Sequence, residues 1–152
     1  MSHLGRLAGL GLELPAVVPP VAAYVPAVRT GDLVFTSGQL PMVAGAMAHT
    51  GLVGGPVTAE QAKGLARTCA LNALAAIDAL VGLDSVVRVV KVVGFVASAS
   101  GFTGQPGVVN GASELLGEVF GDAGQHARSA VGVAALPLDA PVEVELVVEV
   151  TP

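Results

Sequence analysis

Residues 85–97 read Ser-Val-Val-Arg-Val-Val-Lys-Val-Val-Gly-Phe-Val-Ala, and no other stretch limits the possible folds so strongly. β-Branched and aromatic side chains favour a strand. Alternation along an extended chain puts Val87, Val89, Val93 and Phe95 on one face. Val86, Val90, Val92 and Val96 fall on the other. A strand that is apolar on both faces needs cover on both.

The flanking segments supply cover for one face. Residues 3–12 form a short helix in an N-terminal extension that runs to residue 20, where Pro15, Pro19 and Pro20 enforce an extended path. Residues 24–28 and 33–37 make a hairpin around Thr30-Gly31-Asp32. A Gly-rich loop over residues 41–56 leads to Thr58-Ala59-Glu60-Gln61, a capping box that opens a helix. In that helix Ala62, Leu65, Ala66, Cys69, Ala73, Ala76, Ile77 and Leu80 recur at helical spacing, up to Gly82. After the valine strand, a second apolar-striped helix spans residues 108–120. Strands over 129–136 and 142–150 end the chain, the turn between them holding Pro137 and Pro141. The order ββ(β)αβαββ is that of one α/β (α+β) domain over residues 1–152, a mixed sheet with two helices on one face. The other face awaits a second copy of the chain. Composition agrees: charged residues are 12% and hydrophobic residues 53%, where a soluble domain usually carries about a quarter charged.

Several function classes are disfavoured. The valine run is broken by Arg88 and Lys91 and is too short for a membrane span, and the N-terminus lacks the pattern of a signal peptide. The single cysteine, Cys69, allows no internal disulfide and fits a reducing, cytoplasmic setting. A net charge of −5 and the absence of Trp argue against nucleic acid. His3, His49 and His126 are scattered, so no metal site is expected, and His3 and His49 read as surface residues. Cys69 lies on the apolar stripe of its helix and reads as a packed thiol, not a nucleophile.

The residues left with chemistry to offer lie near the C-terminus. Arg128 opens a strand whose same-face neighbours Ala130, Gly132 and Ala134 are small, which leaves room for a carboxylate held by two hydrogen bonds. A surface or subunit-bridging charge is the competing reading. Glu143 and Glu145 alternate with valines on the last strand, which by itself describes a solvated face. With a four-residue hairpin loop, Glu143 pairs with Gly132 and shares the face of Arg128, about 13 Å away. A loop one residue longer separates them onto opposite faces.

Arg128-Ser129-Ala130-Val131, followed by Leu136-Pro137 and Val142-Glu143-Val144-Glu145, resembles the reactive-intermediate deaminase family (RidA/YjgF-like, formerly L-PSP endoribonuclease). Thr36-Ser37-Gly38-Gln39-Leu40-Pro41 is similar to that family's second-strand signature, and Tyr24 and Asn110 match further positions. The extension and the Leu71-Asn72-Ala73-Leu74-Ala75-Ala76 helix look like a longer subgroup. The resemblance implies a chorismate-mutase-like fold, a homotrimer with clefts between subunits, and hydrolysis of enamines and imines to 2-keto acid and ammonia. It implies that Arg128 holds the substrate carboxylate and Glu143 orders the attacking water. Tyr24, Ser37, Gly38 and Asn110 line the pocket, with no metal or organic cofactor. Ala130 stands where many members carry Cys. A non-catalytic binder of small carboxylates is the alternative function; ribonuclease activity fits poorly with the acidic charge.

Overall fold

The computed structural model describes residues 1–20 and 22–152. Along the chain run α1 (His3–Gly9), β1 (Ala27–Thr30), β2 (Leu33–Thr36), α2 (Ala59–Val81), β3 (Val86–Ala97), α3 (Gln105–Phe120), β4 (Ala127–Val133) and β5 (Val142–Val150). The architecture is a mixed α+β fold of three helices and one five-stranded sheet ordered β1-β2-β5-β3-β4. β3 and β4 are parallel; every other pairing is antiparallel.

The helix signals act as read. Thr58 accepts from the Gln61 amide at 3.1 Å, and the Gln61 side chain returns to the Thr58 amide at 3.0 Å, so two orphan N–H groups at the start of α2 are satisfied. α2 and α3 pack on each other and on one face of the sheet, enclosing Leu65, Ile77, Leu115, Leu116, Val92 and Leu146. The helices cross closely at Gly111, where any Cβ would collide with the Lys63 carbonyl oxygen. α2 is long and apolar enough to cross a membrane by length and composition, which the reading of the valine run passed over. Cys69, Ala73 and Ile77 on its inward stripe are fully buried in this core.

Four expectations need correction. First, two bulges in β3, between Val86 and Arg88 and between Val89 and Lys91, break strict alternation. Val86, Val89 and Val92 all face the helices and are buried, while Val87 and Val90 are exposed. Second, β4 and β5 are not a hairpin. β4 lies parallel to β3 on one side and β5 antiparallel to it on the other, so residues 134–141 cross over the end of β3. Third, β1 starts at Ala27 rather than residue 24; Pro26 has no N–H to donate, and its carbonyl instead accepts from the Ser37 amide at 2.8 Å. Fourth, His3 is no surface residue. Its ring packs edge-on against Phe120 with centroids 4.7 Å apart, and its Nε2 meets the Val86 carbonyl at 2.9 Å, which docks α1.

The face away from the helices carries Val28, Phe35 and Val131, which are 52%, 44% and 44% exposed, together with the half-buried Val93 and Phe95. It is an apolar band across all five strands, interrupted by Glu143, Glu145 and Lys91.

Candidate functional site

The named residues separate into two clusters on opposite faces of the sheet. Arg128 aligns with Val92 and Leu146, both buried on the helical side. Glu143 aligns with Phe95 and Val131 on the open side. Two strand spacings and three residues separate their backbones, about 14 Å. Within one chain the shared face that a hairpin with a four-residue loop would have created does not exist, because β3 lies between β4 and β5 and its register sets Arg128 and Glu143 an odd number of residues apart.

The Arg128 cluster sits where β4 meets α3. Its Nη1 donates to Asn110 Oδ1 at 2.7 Å and to Ser113 Oγ at 3.2 Å; its Nη2 donates to the Pro106 carbonyl at 3.3 Å. A guanidinium has five N–H donors. Nε–H and the second Nη2–H remain uncommitted among the described residues, and two donors are what a carboxylate takes in a forked contact. Asn110 therefore orients the arginine rather than standing apart as a pocket wall. Ala130 shares this face, opposite Gly94, and packs on the core.

Ser113 and His126 complete the cluster and were not singled out by sequence. His126 Nδ1 lies 2.6 Å from the Gly124 carbonyl, which can only accept, so Nδ1 carries the proton. Nε2 then accepts from Ser113 Oγ at 2.9 Å, and the same oxygen accepts from Arg128. The signal available was spacing: Asn110 and Ser113 are three apart on α3 and share a face.

The Glu143 cluster lies on the other side. Its carboxyl lies against Gly38: a Cβ on Gly38 would be 2.7 Å from Glu143 Cδ and Oε2. Among the described residues it receives no hydrogen bond. Burial, and secondly the Glu145 charge, raise its proton affinity above that of an ordinary glutamate. Tyr24, Gly38 and Glu143 line one cavity of about 700 Å³ with residues 15–20 of the extension. Ser37 does not line it. Its hydroxyl donates to the Val25 carbonyl at 2.6 Å, and its amide holds Pro26, so it fixes the segment that carries Tyr24. Asn72, buried on α2, donates to the carbonyls of Leu40 at 3.0 Å and Met42 at 2.9 Å and so shapes the cavity lining. A polar amide on an otherwise apolar helix stripe was the signal for it.

Cys69 is fully buried, and its thiol lies 3.6 Å from the Val142 carbonyl. Burial, then the Glu143 charge, push its pKa well up, so it is no nucleophile. No group of three or more His, Cys, Asp or Glu side chains is placed to hold a metal among the described residues.

The mixed sheet under two long helices is the fold that the signature residues led one to expect. Residues 16–150 match the family described as Endoribonuclease L-PSP, and the chain belongs to it; this is the YjgF/RidA family. The chain is 46% identical to Protein TCP17 of Trypanosoma cruzi over 95% of its own length and 94% of that protein's. It superposes on the crystal structure of Atu1372 from Agrobacterium tumefaciens, a protein of unknown function, with a TM-score of 0.90 at 46% identity, covering 99% and 94% of the two chains. A putative endoribonuclease from Shewanella oneidensis gives 0.94 at 30% identity, covering 99% and 100%.

Proposed function

We propose that this protein is a homotrimeric deaminase that hydrolyses reactive enamines and imines of 2-amino acids to 2-keto acid and ammonia. The observation that carries the reading is Glu143: a partly buried carboxyl of raised proton affinity, free of hydrogen bonds among the described residues, facing a cavity. A carboxyl that faces a cavity with its oxygens unpaired is placed to exchange protons with a bound substrate and water, and burial makes it hold a proton more tightly than an ordinary glutamate does.

The chemistry needs no nucleophilic side chain. Protonation of the enamine β-carbon gives an iminium. Water adds to the iminium carbon while Glu143 takes one of its protons, giving a carbinolamine. Transfer of a proton to nitrogen lets ammonia leave as the carbonyl forms. The sum is enamine plus water giving keto acid plus ammonia. A positioned acid–base group contributes about 10²–10⁴-fold.

The substrate carboxylate requires a cation, and the two free donors of Arg128 suit it. Since Arg128 and Glu143 of one chain lie on opposite faces, the reading places the site between subunits: Arg128 from one copy, Glu143 and Tyr24 from its neighbour. The apolar band on the open face supports a partner copy there.

The experiment measures decay of imines freshly generated from several amino acids, together with calorimetric binding of a 2-keto acid. Arg128→Ala should abolish both while the trimer persists. Arg128→Lys should be impaired too, because an ammonium keeps the charge and loses the fork. Equal binding and turnover in all three proteins refutes the site. Binding without hydrolysis of any imine replaces the enzyme with a carboxylate-binding protein.

A further inference from the structure

Behind Arg128 stands a titratable group that the proposed chemistry leaves without a task. His126 follows the turn Gly121–Gly124 and precedes β4. That turn is pressed onto α3: a Cβ on Gly124 would collide with the Leu116 carbonyl oxygen. The Gly124 carbonyl is fixed by this packing, and it accepts from His126 Nδ1 at 2.6 Å. Nε2 is committed to Ser113 Oγ at 2.9 Å, and that oxygen lies 3.2 Å from Arg128 Nη1. Both ring nitrogens are occupied, so the imidazole reaches the guanidinium only through Ser113.

A hydroxyl is a reversible link between the two, because it both donates and accepts. With His126 neutral, Ser113 donates to Nε2 and accepts from Arg128. With His126 protonated, Nε2–H donates, and the two lone pairs of Oγ accept from both sides. The chain of contacts therefore survives a change of charge at its far end with every heavy atom in place. Histidine is the side chain that makes such a change between about pH 5 and 8.

Charge sets the sign of the effect. In the empty site an imidazolium would face the Arg128 guanidinium across one oxygen, and Arg88 of β3 shares a surface groove with His126. Both are like charges. The acids around it are Glu149 of β5, in the same groove, the exposed Asp122 in the turn, and Glu114 and Glu118 of α3, which pair with Lys63 and Arg67. Among the described residues none of them forms an ion pair with His126. A carboxylate on the free donors of Arg128 offsets the guanidinium charge and brings an opposite charge toward the imidazolium.

We propose that His126 is a positioning residue of the carboxylate site, coupled to Arg128 through Ser113, so that a 2-keto or 2-imino acid binds together with a proton. The inference rests on Arg128 holding a carboxylate, as proposed above. Two hydrogen bonds and a guanidinium put the ligand about 8 Å from the imidazole, and at effective dielectrics of 20 to 80 two unit charges at that distance change binding about 2–30-fold. Affinity should rise as pH falls, since the protonated form is the one that favours the anion, and by reciprocity the anion favours the proton.

The test is calorimetric binding of pyruvate from about pH 5.5 to 8.5. Pairs of buffers that differ in ionisation enthalpy count the protons taken up. Pyruvate is ionised throughout, so those protons go to the protein. The parent should bind about 2–30-fold more tightly at the acid end and take up a fraction of a proton per pyruvate in between. His126→Gln keeps a neutral acceptor for Ser113 and removes the titration, so its pH slope and proton count should both drop below the parent's. Glu143 is present in both proteins, and the difference between them reads His126 alone. His126→Asn repeats the comparison should His126→Gln fail to fold. With imines as substrates the pH effect should fall on KM rather than kcat, a split that a purely structural tie between the turn and α3 does not produce. A folded variant that keeps the parent's slope and proton count, or a parent that binds pyruvate without proton uptake, overturns the inference and leaves the carboxylate site standing. No binding of pyruvate at any pH sinks the Arg128 site, and the coupling falls with it.

Discussion

Replacing Gly38 with alanine puts a methyl group where the Glu143 carboxyl now lies. The new Cβ would stand 2.7 Å from both Cδ and Oε2 of Glu143 and 3.1 Å from its Cγ. Ordinary carbon contacts begin near 3.5 Å, so the carboxyl must retreat by about 0.8 Å. Gly38 is not among the glycines of positive φ, so alanine fits its backbone. Alanine there limits the unfolded chain, which stabilises by about 0.4–1 kcal/mol. Swinging a flexible glutamate off its rotamer costs about 0.5–1.5 kcal/mol. The two offset, and stability should stay within about 1 kcal/mol of the parent. Catalysis is far less tolerant, since a displacement of about 1 Å can cost about 10²-fold in rate. Imine-decay kinetics and urea midpoints measured on the same preparation read both quantities. In a Glu143→Gln background the alanine should cost nothing further in kcat, because the group it displaces no longer acts. A Gly38→Ala protein within threefold of the parent kcat refutes the placement of Glu143 at the reacting centre. A loss of about 3 kcal/mol or more shows instead that the contact belongs to the packing.

Glu143→Gln should lower turnover about 10²–10⁴-fold while raising stability at pH 7. Two residues apart on one strand face, Glu143 and Glu145 are about 7 Å apart; at effective dielectrics of 20 to 80 their repulsion is about 0.6–2.4 kcal/mol. Folding raises the proton affinity of Glu143, so its ionisation favours the unfolded state: stability falls as pH rises through the folded-state value. Urea midpoints at fixed protein concentration should therefore favour the Gln variant at pH 7 and converge below about pH 4; a variant less stable at pH 7 contradicts this. Val131→Asp, on the exposed apolar band, should yield a folded monomer by sedimentation. Val92→Asp, a fully buried site on the helical side, should not fold. A trimeric Val131→Asp protein removes the open face as the interface.

Local chemistry made the helices legible. The Thr58–Gln61 capping box and the apolar stripe from Ala62 to Ile77 are properties of consecutive residues, and the structure returns both. Strand partners are a different matter. Nothing in residues 127–150 records that β5 leaves β4 to pair with β2 and β3, because that choice depends on which strand edges are open when it docks. The two bulges in β3 are equally silent, since Val-Val pairs on either side of Arg88 satisfy the alternation in either register. Both misreadings bear on the site. A hairpin with a four-residue loop would have put Arg128 and Glu143 on one face; the crossover puts them on two. Asn110, Ser113 and His126 gather around Arg128 only because α3 lies over the start of β4. The small strand residues beside Arg128, read as space for a ligand, serve in part another purpose: Ala130 packs on the core.

The separation of the two clusters supplies a test that requires no structure of the assembly. In a cyclic trimer with three equivalent interfaces, each site takes Arg128 from one copy and Glu143 from the next. Arg128→Ala chains lack the first group and keep the second; Glu143→Gln chains do the reverse. Each homotrimer has three broken sites and should be inactive. Unfolding equal amounts together and refolding them distributes the chains at random among trimers. A site is then intact when its arginine comes from a Glu143→Gln chain and its glutamate from an Arg128→Ala chain. That holds for about a quarter of sites, so the mixture should recover about 25% of parental turnover. Sites built within one chain can never be restored by mixing, because every chain carries one of the two lesions. Mixing without unfolding is the control and should stay inactive for as long as subunits do not exchange. Recovery near a quarter places the site between copies. No recovery, from a mixture shown by mass spectrometry to contain mixed trimers, refutes the shared site and leaves Glu143 with a carboxylate partner other than Arg128.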